Sequence, residues 1–231
     1  MLFAAPTTNK ALMNHGVITM GNYRNQRFCE NLNVAQFETE GQYNTPVLEP
    51  CEFTPCEFVG FNYAKTAKNK SDKGLHFFVD DYQFERLWRM PEQYSDLLSQ
   101  FKIIMTPDFS LYTDWPKAIQ IYNHYRKHWL GAYWQSLGLQ VIPTIAWSDS
   151  ESFDWCFDGT PKGATVAVSS VGTQASRKTR QLFLDGWHQM MERLQPETVI
   201  FYGDVPQECK ANIVRVKAFS DKFREVKTNG W

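Results

Sequence analysis

Four apolar runs in this chain end in aspartate: HFFVDD reaches Asp80, IIMTPD reaches Asp108, TIAWSD reaches Asp149 and FYGD reaches Asp204. Carboxylates gathered at one place can hold Mg²⁺ or Mn²⁺, or divide between acid and base roles. An aspartate between a strand and a helix also has an ordinary use, accepting a bond from an exposed helix N–H and complementing the helix dipole. Asp81, Asp114, Asp149 and Asp204 all stand where a helix or turn would begin, so capping accounts for them. Asp80 and Asp108 are surplus to that need. Asp80 precedes Asp81, and only one of the two has to cap; Asp108 lies six residues before the better cap, Asp114. These two are the expected metal ligands or acid/base groups. Asp149 and Glu151, at the rim after the fourth apolar run, are expected to assist.

A second stretch points to phosphate. SSVGTQASRKTR, residues 169–180, is a strand end followed by Gly172, Thr173 and a helix start carrying Arg177 and Arg180. Free N–H groups at a helix start bind anions, and guanidinium groups add charge. The Walker A spacing is absent, and a Ser/Thr cap followed by a solvated basic turn is the plainer reading. HYRKH, 124–128, places two histidines one turn apart, but Tyr125 stands where the metalloprotease glutamate belongs. With Arg126 and Lys127 between them, a basic exposed face is expected. His76, placed at the start of its strand, is expected to be structural.

The elements that position these residues follow a rhythm from about residue 57 onward. Short apolar runs at 57–63, 75–80, 102–108, 140–147, 165–171, 198–204 and 212–217 are nearly continuous rather than alternating, as in strands buried on both faces. Between them lie helical patterns at about 92–100, 114–138 and 175–194. The longest is expected to be capped by Asp114, to bury Ile121, Tyr122, Tyr125, Trp129, Ala132 and Tyr133, and to stop at Gly138. Strand, helix and strand in series predict an α/β fold with a mostly parallel sheet, open or barrel-like (β/α). In such folds the carboxyl ends of the strands share one face, where ligands bind. Residues 1–50 lack periodicity and are read as an irregular N-terminal extension packed on a single domain, 51–231. KTAKNKSDKG, 65–74, reads as a solvated loop.

Length and composition fit this picture. The 231 residues are 43% hydrophobic and 21% charged, which is ordinary for a globular domain. Aromatic residues reach 15%, with eight tryptophans, and most belong in a core. A formal net charge of −1 gives no global attraction to nucleic acid or anionic lipid, so a polyanion site has to be a local patch. Five scattered cysteines suit a reducing cytoplasm rather than a disulfide framework. CEFTPC, 51–56, is only half a metal site. No signal peptide and no run approaching the roughly 20 apolar residues of a membrane span is read.

The strings HFFVDDYQFERLW (76–88), PDFSLYTDWP (107–116), WLGAYWQSLG (129–138) and VIPTIAWSD (141–149) resemble a family of unknown function. That family occurs in phages, mobile elements and low-GC Gram-positive bacteria. The resemblance covers roughly residues 45–205 and implies a phage or mobile-element origin, with no catalytic residues to carry over. Two functions therefore stand side by side. One is a hydrolase with a carboxylate-lined site at the strand exits, binding Mg²⁺ or Mn²⁺ on Asp80 and Asp108 and acting on a phosphorylated or nucleic-acid substrate held by Gly172, Thr173, Arg177 and Arg180. The other is a non-catalytic phage binding module for nucleic acid, nucleotide or a host protein, with no membrane partner.

Overall fold

A computed structural model describes residues 35–218 of the chain. A short hairpin of β1 (Thr39–Glu40) and β2 (Thr45–Pro46) opens the domain that starts at Phe37. All seven apolar runs then form strands: β3 (Glu57–Gly60), β4 (Lys73–His76), β5 (Ile103–Met105), β6 (Val141–Ile142), β7 (Thr165–Ser169), β8 (Thr198–Tyr202) and β9 (Ile213–Val216). β3 to β6 pair in parallel in chain order, and so do β7 to β9. Pro143 has no N–H to donate, yet its carbonyl accepts from Ala167 N at 2.9 Å, and Ile145 N donates to Ala167 O at 2.8 Å. With the parallel bridge between Thr144 and Ala167, the two groups become one run of seven parallel strands.

That run curls. The Tyr202 ring at the end of β8 lies 4.8 Å from both His76 and Phe78 at the end of β4. Four strand steps separate β4 from β8, so these rings meet only because the sheet bends back on itself. Ala167 and Ile200 accordingly share one buried cluster with Phe58, Leu75, Ile104 and Val141. Their neighbours Val166, Val168, Val199 and Phe201 point the other way, into a second cluster. Both faces are covered, which is why these strands read as continuous apolar runs. Among the described residues no pairing joins β9 to β3, so the barrel-like sheet stays open there.

The helices are α1 (Glu85–Arg89), α2 (Ser95–Leu98), α3 (Lys117–Ser136) and α4 (Arg177–Leu194). α3 departs from expectation in two ways. Its N-cap is Pro116, with no side-chain cap bond, so Asp114 does not cap it. More consequentially, the HYRKH face is not exposed: His124, Arg126, Lys127 and His128 are all buried. The sheet covers only one side of α3. Pro46 O meets His128 Nδ1 at 3.1 Å and Asp158 O meets His124 Nε2 at 3.1 Å, so the hairpin and the 155–160 segment close over another side. Tyr122, expected inside, is exposed instead. His76 ends its strand rather than starting it, because β4 begins at Lys73, inside the lysine-rich loop. Gly74 allows this, since a Cβ there would stand 2.3 Å from the Phe58 ring.

Of the segment read as an N-terminal extension, residues 1–34 lie outside the described residues. Residues 37–50 dock on α3, where Glu49 and Gln135 exchange two hydrogen bonds of 2.9 and 2.8 Å and Leu48 is buried.

α4 packs through Phe183, Leu184, Trp187 and Met190, and through Gly186, where a Cβ would sit 2.1 Å from Trp147 Nε1. Overpacking costs typically 1–3 kcal/mol, whereas glycine to alanine inside a helix returns about 1 kcal/mol. Gly186→Ala is therefore expected to lose roughly 1 kcal/mol in urea unfolding; a gain would mean that the half-buried Trp147 indole swings aside freely.

Candidate functional site

A cavity of about 580 Å³ opens at the carboxyl ends of β4, β5, β7 and β8. The β4 exit supplies Phe78, Asp80, Asp81 and Tyr82; the β5–α3 loop supplies Asp108, Ser110, Tyr112 and Trp115; Ser169, Val171, Tyr202 and Ala218 complete the wall. Among the described residues that line it, three are aspartates and none is basic.

The β5–α3 loop is held from several sides. Asp81 accepts from Ser110 N at 3.0 Å and from Ser110 Oγ at 2.9 Å. Asn123 Nδ2 donates to Ser110 O at 2.7 Å, and Gln120 Nε2 donates to Trp115 O at 2.9 Å. Thr106, just before Asp108, exchanges two 2.8 Å bonds with Thr144. Arg126 lies 3.6 Å from the Phe109 ring centroid and pairs with Glu85 at 2.7 Å. Asp108 is thus fixed at the strand exit by neighbours on both sides in sequence, as positioned catalytic groups require.

Asp108 itself is half-buried, with one side on the cavity. Burial pushes its carboxyl up to about 7; the Lys127 ammonium opposes that shift and the Asp81 carboxylate adds to it. Lys127 is fully buried, and its Nζ makes no hydrogen bond. Burial lowers its ammonium to about 8, with Asp108 pulling the other way. The Asp81 carboxyl is raised by burial against its bonds from Ser110. His128 is lowered to about 3 by burial and then by Lys127, and His124 is held well below its usual range by burial and by His128. Both imidazoles are neutral at pH 7. The arrangement puts one carboxyl able to gain or lose a proton near neutrality within electrostatic reach of a buried cation, a combination found where side chains exchange protons.

The expected residues distribute unevenly around this cavity. Asp80 is on its lining but exposed, and accepts from Gln83 Nε2 at 3.4 Å. Asp149 caps the 3₁₀ turn Ser150–Asp154, accepting from Glu151 N at 3.1 Å and Ser152 N at 3.3 Å. Glu151 pairs on the surface with Lys117. Asp204 pairs with Arg215. Gly172 takes a left-handed conformation, φ 80°, in the loop before α4. Thr173 borders a smaller cavity of about 160 Å³ that Asp108 also touches. Arg177 is the exposed first residue of α4, and Arg180 makes a two-pronged pair with Glu208 at 2.7 and 2.6 Å. The helix start is satisfied locally by a capping box between Ser176 and Thr179.

Sequence reasoning passed over Asp81, taken for a cap, and Lys127, taken for surface. A signal for Lys127 was present: it shares the stripe of Leu130, Gly131 and Trp134, spaced three, four and seven residues on, all buried. Asp80 and Asp108 border the same cavity, and two carboxylates with water and substrate suffice for Mg²⁺. Among the described residues no group of three His, Cys, Asp or Glu side chains is placed to hold a metal ion. The described cysteines, Cys51, Cys56, Cys156 and Cys209, are free thiols. Among the described residues no helix is long and apolar enough to cross a membrane.

These features define an open, parallel β/α protein with an acidic, ring-walled cavity at its strand exits. The chain belongs to the family of the domain of unknown function DUF4417, whose model matches residues 37–220. It is 43% identical over 171 residues to the Gene 1 protein of Mycobacterium phage L5, covering 73% of this chain and 75% of that one. To the Gene 1 protein of Mycobacterium phage D29 it is 37% identical over 200 residues, 84% of this chain and 74% of the relative. No solved structure matches the chain. The phage association that the family resemblance implies is thereby supported.

Proposed function

We propose that the protein is a hydrolase whose reaction centre is this acidic cavity, with Asp108 as the proton-transferring group and a phosphorylated or nucleic-acid substrate. The observation that carries the reading is the placement of Asp108 on the cavity wall at a strand exit, within electrostatic reach of a buried lysine whose Nζ has no hydrogen-bond partner. A wall with three aspartates and no basic residue repels phosphate. An anionic substrate would therefore enter with a divalent cation, Mg²⁺ or Mn²⁺, on Asp80, with Asp108 acting either as its second ligand, and then ionised, or as the acid/base group free of the metal. Thr173, beside the smaller cavity, and Gly172 next to it would meet the substrate's far side; Arg177 would add charge at a distance. Asp149 and Glu151 contribute by fixing the Ser150–Asp154 turn. A reducing cytoplasm suits the free thiols.

The alternative is a non-catalytic binding module for nucleic acid, nucleotide or a host protein, favoured by the exposed rings at the cavity mouth. Thermal unfolding with and without Mn²⁺, together with hydrolysis of bis(4-nitrophenyl) phosphate, separates the two. On the hydrolase reading, Mn²⁺ raises the melting temperature of the wild type and not of Asp108→Asn, and the variant loses at least about a hundredfold in rate. No metal response and no turnover in the wild type would leave the binding module.

A further inference from the structure

We propose that Tyr82, Tyr112 and Trp115 seat a nucleobase at the cavity mouth, so that the ligand of this site is a nucleotide unit; this rests on the reading of the cavity as the functional site. Exposed aromatic residues are ordinary when scattered. Here they are not scattered. Tyr82 is 79% exposed, Tyr112 55% and Trp115 37%, and all three line the same cavity. They come from two separate segments, the turn after β4 and the loop after β5. Tyr112 and Trp115 meet edge-on, their centroids 4.8 Å apart and their planes at 68°, which leaves ring faces open for a flat guest.

These rings are also pre-placed. The backbone between them is tied at Ser110 by Asp81 and Asn123, and at Trp115 by Gln120. The loop that carries Tyr112 and Trp115 therefore has little backbone ordering entropy left to lose on binding. Stacking on an aromatic side chain is worth about 1–3 kcal/mol per base and tolerates any base, since each has a π-face. The polar part of the wall fits the edge of such a base. The Asp80 and Asp81 carboxylates accept hydrogen bonds, and adenine, cytosine and guanine carry amino groups that donate them. The absence of basic lining residues, among those described, means that the base rather than the phosphate makes the direct protein contacts.

The base could belong to a free nucleotide or to a single strand, and the same titration tells them apart. Full-length wild type and the double variant Tyr112→Ala/Trp115→Ala are titrated calorimetrically without metal. The probes are adenosine, AMP, ribose 5-phosphate, a short oligodeoxyadenylate and tetramethylammonium. The expected result is binding of adenosine and AMP, with ribose 5-phosphate weaker by at least about tenfold. The double variant should lose about tenfold or more for adenosine while keeping its melting temperature, because both side chains are exposed. Adenosine binding by a wild type that does not turn over bis(4-nitrophenyl) phosphate would keep this inference and drop the hydrolase reading, so the two fail separately. Tighter binding of the oligonucleotide assigns the base to a single strand, and equal or weaker binding to a free nucleotide; both support the proposal. Ribose 5-phosphate binding as well as AMP, unchanged affinity in the ring variant, or tetramethylammonium binding as tightly as adenosine would overturn it. The last outcome would make the cavity a cage for organic cations.

Discussion

Asp108→Asn is expected to melt above the wild type at pH 8 and to converge with it near pH 4. The Asp108 carboxyl is raised from 3.8 to about 7 by burial, so the folded state holds its proton where the unfolded chain has released it. Between those two values the folded state binds more protons than the unfolded one, and stability from this group falls as pH rises. Above pH 7 the full penalty for the ionised carboxylate is present. Three units at 1.36 kcal/mol each set a ceiling of about 4 kcal/mol. Solvent reaches one side of the half-buried group, so roughly 2 kcal/mol is the working expectation. An amide has nearly the shape of the protonated acid and carries no charge to desolvate. The advantage of the variant should therefore grow from about pH 4 to pH 7 and stay level to about pH 8. Urea unfolding at pH 4, 6 and 8 measures it. A variant less stable than wild type at pH 8 would show that Asp108 works as an ionised partner of Lys127, and the proton-transfer role would fall with that result.

The strands were legible because both faces of the sheet are covered. Ala167 and Ile200 face one cluster while Val166 and Val199 face the other, so the apolar run is unbroken and easy to see. The curl of the sheet was not legible, since it depends on contacts such as Tyr202 with His76 between residues far apart in sequence. Asp108 could be picked out because capping did not need it, and it does border the cavity. Asp149 satisfied a local rule and obeys it, capping its turn. Lys127 escaped because periodicity reports one buried face, whereas α3 is covered on further sides by Pro46 and Asp158, segments with no regular pattern of their own. The rim rings escaped for the opposite reason. Tyr82, Tyr112 and Trp115 lie in irregular turns, where spacing says nothing about which side chains gather around one opening.

Lys127→Met provides the complementary test, with the opposite pH dependence. Burial lowers the Lys127 ammonium from 10.5 to about 8, so below pH 8 the folded protein carries a desolvated charge that the unfolded chain exposes to water. The folded state then binds fewer protons than the unfolded between pH 8 and 10.5, and the penalty fades across that window. The shift of about 2.5 units corresponds to about 3 kcal/mol. Nζ makes no hydrogen bond, and methionine has a similar length and flexibility, so little is lost in exchange. Lys127→Met should be more stable than wild type by roughly 2–3 kcal/mol at pH 6, an advantage that shrinks above pH 8. Removing the cation should also push the Asp108 carboxyl further up, because Lys127 opposes its rise. On the hydrolase reading, the limb of the pH–rate profile assigned to Asp108 should then move to higher pH, which a lysine remote from the site would not produce. A half-buried carboxyl on the cavity wall and a fully buried lysine within electrostatic reach of it, each lowering the stability of the fold, are poorly explained by stability. They are well explained by a site that has to move a proton near neutral pH.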